Sequence, residues 1–124
     1  MALLRASALT WYELKKMAAL CLLDDVGLIA ERWELTDQPV AVGRDESADV
    51  KINDDSLSRR HFVIVREGQH YLLKDLNSQN GTWVAGRRAQ ATKLRHNDCI
   101  AAGRTLFLFS DHPRPENPSV SGAT

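Results

Sequence analysis

Residues that stop or reverse a polypeptide recur along this chain at spacings of roughly 8–12 residues, and that rhythm limits the possible folds more than any other feature. Between the breaks lie short segments of β character: "MAALCLL" from Met17, "ERWEL" from Glu31, "PVAVGR" from Pro39 and "DVKI" from Asp49. "HFVIVRE" and "HYLLKDL" follow, joined through Gly68 as a hairpin, and then "TWVAGRRAQ" and "DCIAAGRTLFLFS", with turns at Gly86 and Gly103. "ERWEL" alternates charged and apolar residues, as a half-buried strand does. Pro39 stands at a strand start, where a missing N–H is tolerated. These segments make about ten strands and no helix in the central region, which predicts an all-β sandwich or barrel.

The expected organisation has three parts. Residues 1–16 form an extension that is mobile or makes a short helix. Residues 17–110 form the domain. Residues 111–124 ("DHPRPENPSVSGAT") are rich in Pro, Ser and Gly and are expected to be a disordered tail.

A chain of 124 residues with 44% hydrophobic content is enough for one domain with a core. Basic and acidic residues both number 16, so the net charge is zero. That balance argues against a nucleic-acid or membrane-surface binder, which carries a basic excess. No apolar run reaches the 18 or so residues of a membrane span, and the first residues lack the apolar centre of a secretory signal. The expected location is cytoplasmic. Cys21 and Cys99 both lie in apolar segments and are read as buried free thiols. The four histidines show no metal-ligand spacing, so neither a metal nor another cofactor is expected.

Three loops carry polar residues that ask for a reason. In "VGRDE", Gly43 allows a close backbone approach at a strand end, and Arg44 stands at the loop mouth. In "SLSRRHF", Ser58 offers a hydroxyl and Arg59 a planar fork of donors suited to an anion. Arg60 falls on the opposite face and is assigned to the surface. His61 stands where loop becomes strand, and its ring nitrogens suit it to bracing backbone groups rather than to catalysis. In "DLNSQNGTW", Asn80-Gly81 is a strong turn signal, and Ser78, Gln79 and Asn80 crowd polar side chains together. Taken singly, each loop reads as a solvated turn.

Their order and spacing change that reading. Ser58 begins "SRRH" fourteen residues after Arg44, and Asp75 begins "DLNSQNGT" fourteen residues after His61. With the intervening "ADVKINDDSLS", this pattern resembles the forkhead-associated (FHA) domain over roughly residues 18–110. The resemblance implies an FHA-type β-sandwich of about eleven strands whose loops receive a phosphothreonine-containing peptide, the product of a Ser/Thr kinase. It implies a non-catalytic signalling module for phosphorylation-dependent protein interaction, with no small-molecule substrate. Arg44 would contact the phosphate, Ser58 would donate its hydroxyl, and Arg59 would add charge or backbone donors. Asn80 would hold the peptide backbone, and Gln79 occupies a position that also contacts ligand in the family. Gly43, His61, Gly81 and Thr82 match architectural positions, and Asp75 and Ser78 would orient their loop.

The resemblance also implies that the strand between Arg44 and Ser58 switches sheets, which would bring both loops to one end. A preference for threonine over serine follows from the family. At the third residue after the phosphothreonine, Asp54-Asp55-Ser56-Leu57 and Arg87-Arg88 pull in opposite directions. One departure stands out: the family often has Val-Asn-Gly where this chain has Val84-Ala85-Gly86, which predicts an altered turn. Thr10 lies in a leader of the kind that some bacterial members have phosphorylated. The competing reading is a phosphorylation-independent interaction or oligomerisation module using a sandwich face, with Trp33 and Trp83 as aromatic candidates, although a tryptophan placed like Trp33 more often belongs to the core.

Overall fold

The computed structural model describes residues 16–113, and the predictions for residues 1–15, Thr10 included, and for 114–124 lie outside that range. Eleven strands follow one another in this region: β1 (Lys16–Leu23), β2 (Ile29–Leu35), β3 (Val40–Gly43), β4 (Val50–Lys51), β5 (Phe62–Glu67) and β6 (His70–Asp75), then β7 (Thr82–Val84), β8 (Arg87–Arg88), β9 (Ala91–Lys93), β10 (Cys99–Ala102) and β11 (Thr105–Pro113). They form a six-stranded sheet in the order β2-β1-β11-β10-β7-β8 and a five-stranded sheet in the order β4-β3-β5-β6-β9. The described residues contain no helix.

The alternation seen in the sequence produces the core directly. In β5, Phe62 and Ile64 turn inward, and in β6 Tyr71 and Leu73 do the same. From the other sheet Leu20, Ile100, Phe107 and Phe109 meet them, all fully buried. Two edge-on ring pairs join the sheets, Phe62–Phe107 at 5.7 Å and Tyr71–Phe109 at 5.8 Å. Burying one such side chain contributes about 1.5–3 kcal/mol, so these rings fix how the sheets face each other. Trp33 packs against the same core from β2.

Four expectations need correction. β4 does not change sheets. It runs parallel to β3 within the five-stranded sheet, pairing Val42 with Val50 and Gly43 with Lys51. The intervening segment doubles back, held where the Asp49 carboxylate accepts the Ala41 N–H at 2.8 Å. Parallel strands end on the same side, and that is what brings the loops after Arg44 and around Ser58 together.

The last strand continues to Pro113, three residues into the stretch expected to be tail, because Asp111, His112 and Pro113 pair with Ala18, Met17 and Lys16. The short edge strand β9 was not expected, since only Thr92 among its residues is even half-buried and it carries little apolar signal. Finally, Cys99 is exposed, while Cys21 is buried and both are free. Period-two geometry turns Cys99 away from its buried neighbour Ile100. Both thiol residues flank Leu108 in the sheet, two strand spacings or about 10 Å apart, too far for a disulfide.

Candidate functional site

The site lies at one end of the sandwich, where β3, β4 and β6 finish and β5 and β7 begin. Gly43 ends β3 against the backbone of Arg59: a Cβ at position 43 would stand 2.0 Å from the Arg59 carbonyl oxygen. Only glycine permits that approach. Arg44 N–H then donates to the Ser58 carbonyl at 3.2 Å, and Asp45 N–H to the Arg59 carbonyl at 3.1 Å. Arg44 also donates its Nε to the Leu57 carbonyl at 2.8 Å. That bond fixes the direction of the guanidinium, and among the described residues its two Nη groups have no hydrogen-bond partner. The result is an oriented, exposed cation with spare donors.

His61 ties this loop to the next one. The ring is fully buried. Its Nδ1 accepts the Ser58 N–H at 3.0 Å, and its Nε2 lies 2.8 Å from the Gly81 carbonyl. The two partners define the tautomer: a lone pair on Nδ1 and a hydrogen on Nε2. His61 N–H donates to the Val42 carbonyl and its own carbonyl accepts from Leu76 N–H, so one residue fastens four backbone segments. Such a fully bonded ring is a brace.

Asp75 organises the following turn in a similar way. Its carboxylate accepts the Ser78 N–H at 3.0 Å, the Ser78 hydroxyl at 2.5 Å and the Thr82 hydroxyl at 2.7 Å. Ser78 Oγ in turn accepts the Gly81 N–H at 3.0 Å. Burial acts to raise the Asp75 carboxyl, but the hydrogen bonds from Ser78 and Thr82 outweigh it and hold the group below its ordinary value. Gly81 takes φ +83°, a left-handed conformation suited to glycine.

The two loops then meet edge to edge. Ser58 Oγ accepts the Gln79 N–H at 3.0 Å, which leaves the Ser58 hydroxyl hydrogen available for an acceptor. Asn80 donates Nδ2 to the Ser56 carbonyl at 2.8 Å, leaving its Oδ1 and second N–H toward solvent. Arg44, Ser58, Gln79 and Asn80 therefore line one margin, with Arg59 exposed next to Ser58. Arg60 leaves this margin and donates to the Ser47 carbonyl at 3.0 Å. The chemistry on offer is anion binding by a fork of N–H groups and a hydroxyl, plus an amide for a peptide backbone.

A scan for family models finds the FHA domain over residues 40–103, just over half of the chain. The chain belongs to the FHA-domain family. Among curated proteins, it is 35% identical over 80 residues to the FHA domain-containing protein FhaA of Mycobacterium tuberculosis, covering 64% of this chain and 15% of that one. Among solved structures, an FHA domain studied for phosphothreonine-dependent interactions superimposes with a TM-score of 0.71 at 34% identity, covering 78% of this chain and 98% of that one. Mycobacterium tuberculosis EmbR, solved with a low-affinity phosphopeptide, gives 0.70 at 26% identity, with 90% of this chain and 31% of that one covered. The chain spans about half the length of further curated relatives.

Some supports of this FHA domain's loops reach further than the motif indicates. Asp54 accepts from Ser56 N–H and Oγ, from the Thr105 hydroxyl at 2.6 Å and from Arg104 N–H at 3.1 Å. These bonds pin the Ser56 loop to the β10–β11 turn, where Gly103 approaches Ser56 so closely that a Cβ would lie 2.3 Å from its Oγ. Burial opposes the Asp54 charge, yet the bonds from Ser56, Thr105 and Arg104 hold its carboxyl down at about 2. The "DDS" triplet is an Asx-turn pattern that predicts the local bonds but not the reach to residue 105. At the Val84-Ala85-Gly86 departure the β7–β8 hairpin closes over two residues, Ala85 at φ +51° and Gly86 at φ +82°, as a type I′ turn requires.

Proposed function

We propose that this chain is a non-catalytic phosphothreonine-peptide-binding module. The observation that carries this reading is the convergence of three loops from separate parts of the chain on a shared margin. There the Arg44 Nη donors, the Ser58 hydroxyl and the Asn80 amide are left over after every internal bond is made. A phosphothreonine brings about −1.5 to −2 charges and three strong acceptors, which match those leftover donors. Arg44 takes the phosphate, Ser58 donates to it, Arg59 adds field, and Asn80 and Gln79 face the peptide chain. Gly43, His61, Gly81 and Thr82 hold the loops and stay out of contact with ligand.

The phosphothreonine-dependent interactions of the similar FHA structure and the phosphopeptide bound by EmbR support the assignment. The partner is then a protein phosphorylated on threonine, and the place of action is the cytoplasm. Among the described residues no helix is long and apolar enough to cross a membrane.

The test is calorimetric titration of an oriented phosphothreonine peptide library and its unphosphorylated counterpart. Binding is expected in the micromolar range for the phosphorylated peptides alone. A charge-assisted hydrogen bond is worth roughly 1.5–3 kcal/mol, so Arg44→Ala lowers affinity at least about tenfold while leaving the circular dichroism spectrum unchanged. Equal binding of both libraries overturns the reading. Replacing phosphothreonine by phosphoserine removes one methyl, about 0.8 kcal/mol, and weakens binding several-fold.

A further inference from the structure

The outward face of the six-stranded sheet carries a row of apolar side chains that the phosphothreonine site does not use. Phe107, Ile100, Ala102, Thr82 and Val84 point into the core, so their neighbours Leu106, Ala101 and Trp83 point out. Cross-strand pairing places these three side by side, Trp83 with Ala101 and Ala101 with Leu106. Leu22 pairs with Phe107, so one step on Leu23 comes beside Leu106, and Leu23 itself pairs with Ile29 across a register shift in the β1–β2 ladder. The row thus crosses five adjacent strands, about 19 Å at ordinary strand spacing. Ile29 is 55% exposed, Leu106 45% and Trp83 37%.

The β1–β2 hairpin extends the row with Val26 at 77% and Leu28 at 64% exposure. This hairpin is a built turn, since Asp24 Oδ1 accepts the N–H groups of Val26 and Leu28. Single exposed apolar residues need no explanation, but a contiguous set on neighbouring strands marks an interaction surface.

The row is continuous with the phosphothreonine margin at two points. Arg88 lies over the Trp83 ring at 5.3 Å and also against Gly81, the residue after Asn80. Leu106 follows Arg104 and Thr105, which bind Asp54 and Ser56. We propose that this apolar row is a second contact surface for the same phosphorylated partner. It takes the apolar side chains of the partner segment that flanks the phosphothreonine. The proposal rests on the phosphothreonine reading and adds a determinant that a short peptide does not reach. About six residues of extended partner chain span the row. Two linked contacts raise affinity without any change at the phosphate.

The experiment uses the full 124-residue chain and two synthetic peptide sets. One set has phosphothreonine with four degenerate residues on each side. The other keeps the best core from the first and adds eight degenerate residues to either flank. The expected result is enrichment of Leu, Ile, Phe or Trp in one flank, with a winner that binds about tenfold or more tighter than the core. Leu106→Lys and, separately, Ile29→Lys erase that gain and leave core-peptide affinity unchanged. Both positions are exposed, and unchanged core binding itself reports an intact fold.

No apolar enrichment, or a gain that survives both substitutions, overturns the proposal. A core set that fails to bind overturns instead the phosphothreonine reading. A dimer in sedimentation that Leu106→Lys dissociates assigns the row to a second copy. Tighter binding of the extended peptide by a Leu3→Ser/Leu4→Ser/Leu9→Ser variant assigns it to this chain's own leader. Either result also overturns the proposal.

Discussion

Two structures share the recognition end of this sandwich and are built on opposite principles. The loops at 44–61 and 75–82 are positioned by bonds between residues distant in sequence, such as His61 to Gly81, Ser58 to Gln79 and Asn80 to Ser56. The β1–β2 hairpin is closed by a single local residue, Asp24, which serves Val26, Gly27 and Leu28. The loops bury their polar groups against each other and expose cations; the hairpin exposes aliphatic side chains. Long-range bracing gives a margin of fixed shape, suited to the strict geometry of a phosphate. A locally closed turn can shift without disturbing anything else, as suits contact with varied apolar groups. The difference predicts that damage to the loops spreads and damage to the hairpin stays local.

The largest test of this contrast is His61→Ala. It leaves the Ser58 N–H and the Gly81 carbonyl unpaired in the interior and opens a cavity, at a combined cost of about 3–5 kcal/mol. Urea unfolding is expected to show that loss, together with loss of phosphopeptide binding. A variant that binds normally would mean the loops hold without their brace.

Acid comes next. Asp54 is held at about 2 against an ordinary 3.8, and Asp75 is also lowered. A depressed carboxyl contributes stability that is complete above its unfolded value and is lost as pH falls through its folded one. Stability should therefore drop between about pH 4 and pH 2, with Asp54 accounting for on the order of 2 kcal/mol. Asp54→Asn is expected to flatten that slope in pH-dependent unfolding curves. An unchanged slope would remove Asp54 from the bracing.

Asp24→Ala probes the other side of the comparison. Loss of its caps should cost about 1 kcal/mol and leave short-phosphopeptide affinity as it was, measured by titration. If binding fell as it does for His61→Ala, the hairpin would not be an independent unit. The smallest effect is expected at Ala85, an L-residue in a left-handed turn. Ala85→Gly relieves that strain, partly offset by glycine's freedom in the unfolded chain. The net gain is about 0.5–1 kcal/mol, seen as a higher thermal midpoint.

The sequence carried the residues of the margin but not the path that unites them. Gly43, Arg44, Ser58, His61 and Asn80 were legible because each is a chemically unusual choice at a loop, and their order is distinctive. The parallel return of β4 was not, since a two-residue strand leaves no periodicity to read and its direction depends on Asp49 reaching Ala41. β9 escaped for a similar reason. The Cys99 error came from treating an apolar segment as uniformly buried, when period two puts half of it outside. Asp54 closes the acidic-apolar run that resembles the family's, but only the folded chain shows that it reaches Thr105, 51 positions away.

The pairing of Lys16 with Pro113 has a consequence for how such a module is used. β11 starts beside the Ser56 loop and runs the length of the sandwich, so both ends of the described chain leave side by side at the pole opposite the recognition margin. Joining further polypeptide at that pole would leave the margin of Arg44, Ser58 and Asn80 at the far end of the sandwich undisturbed.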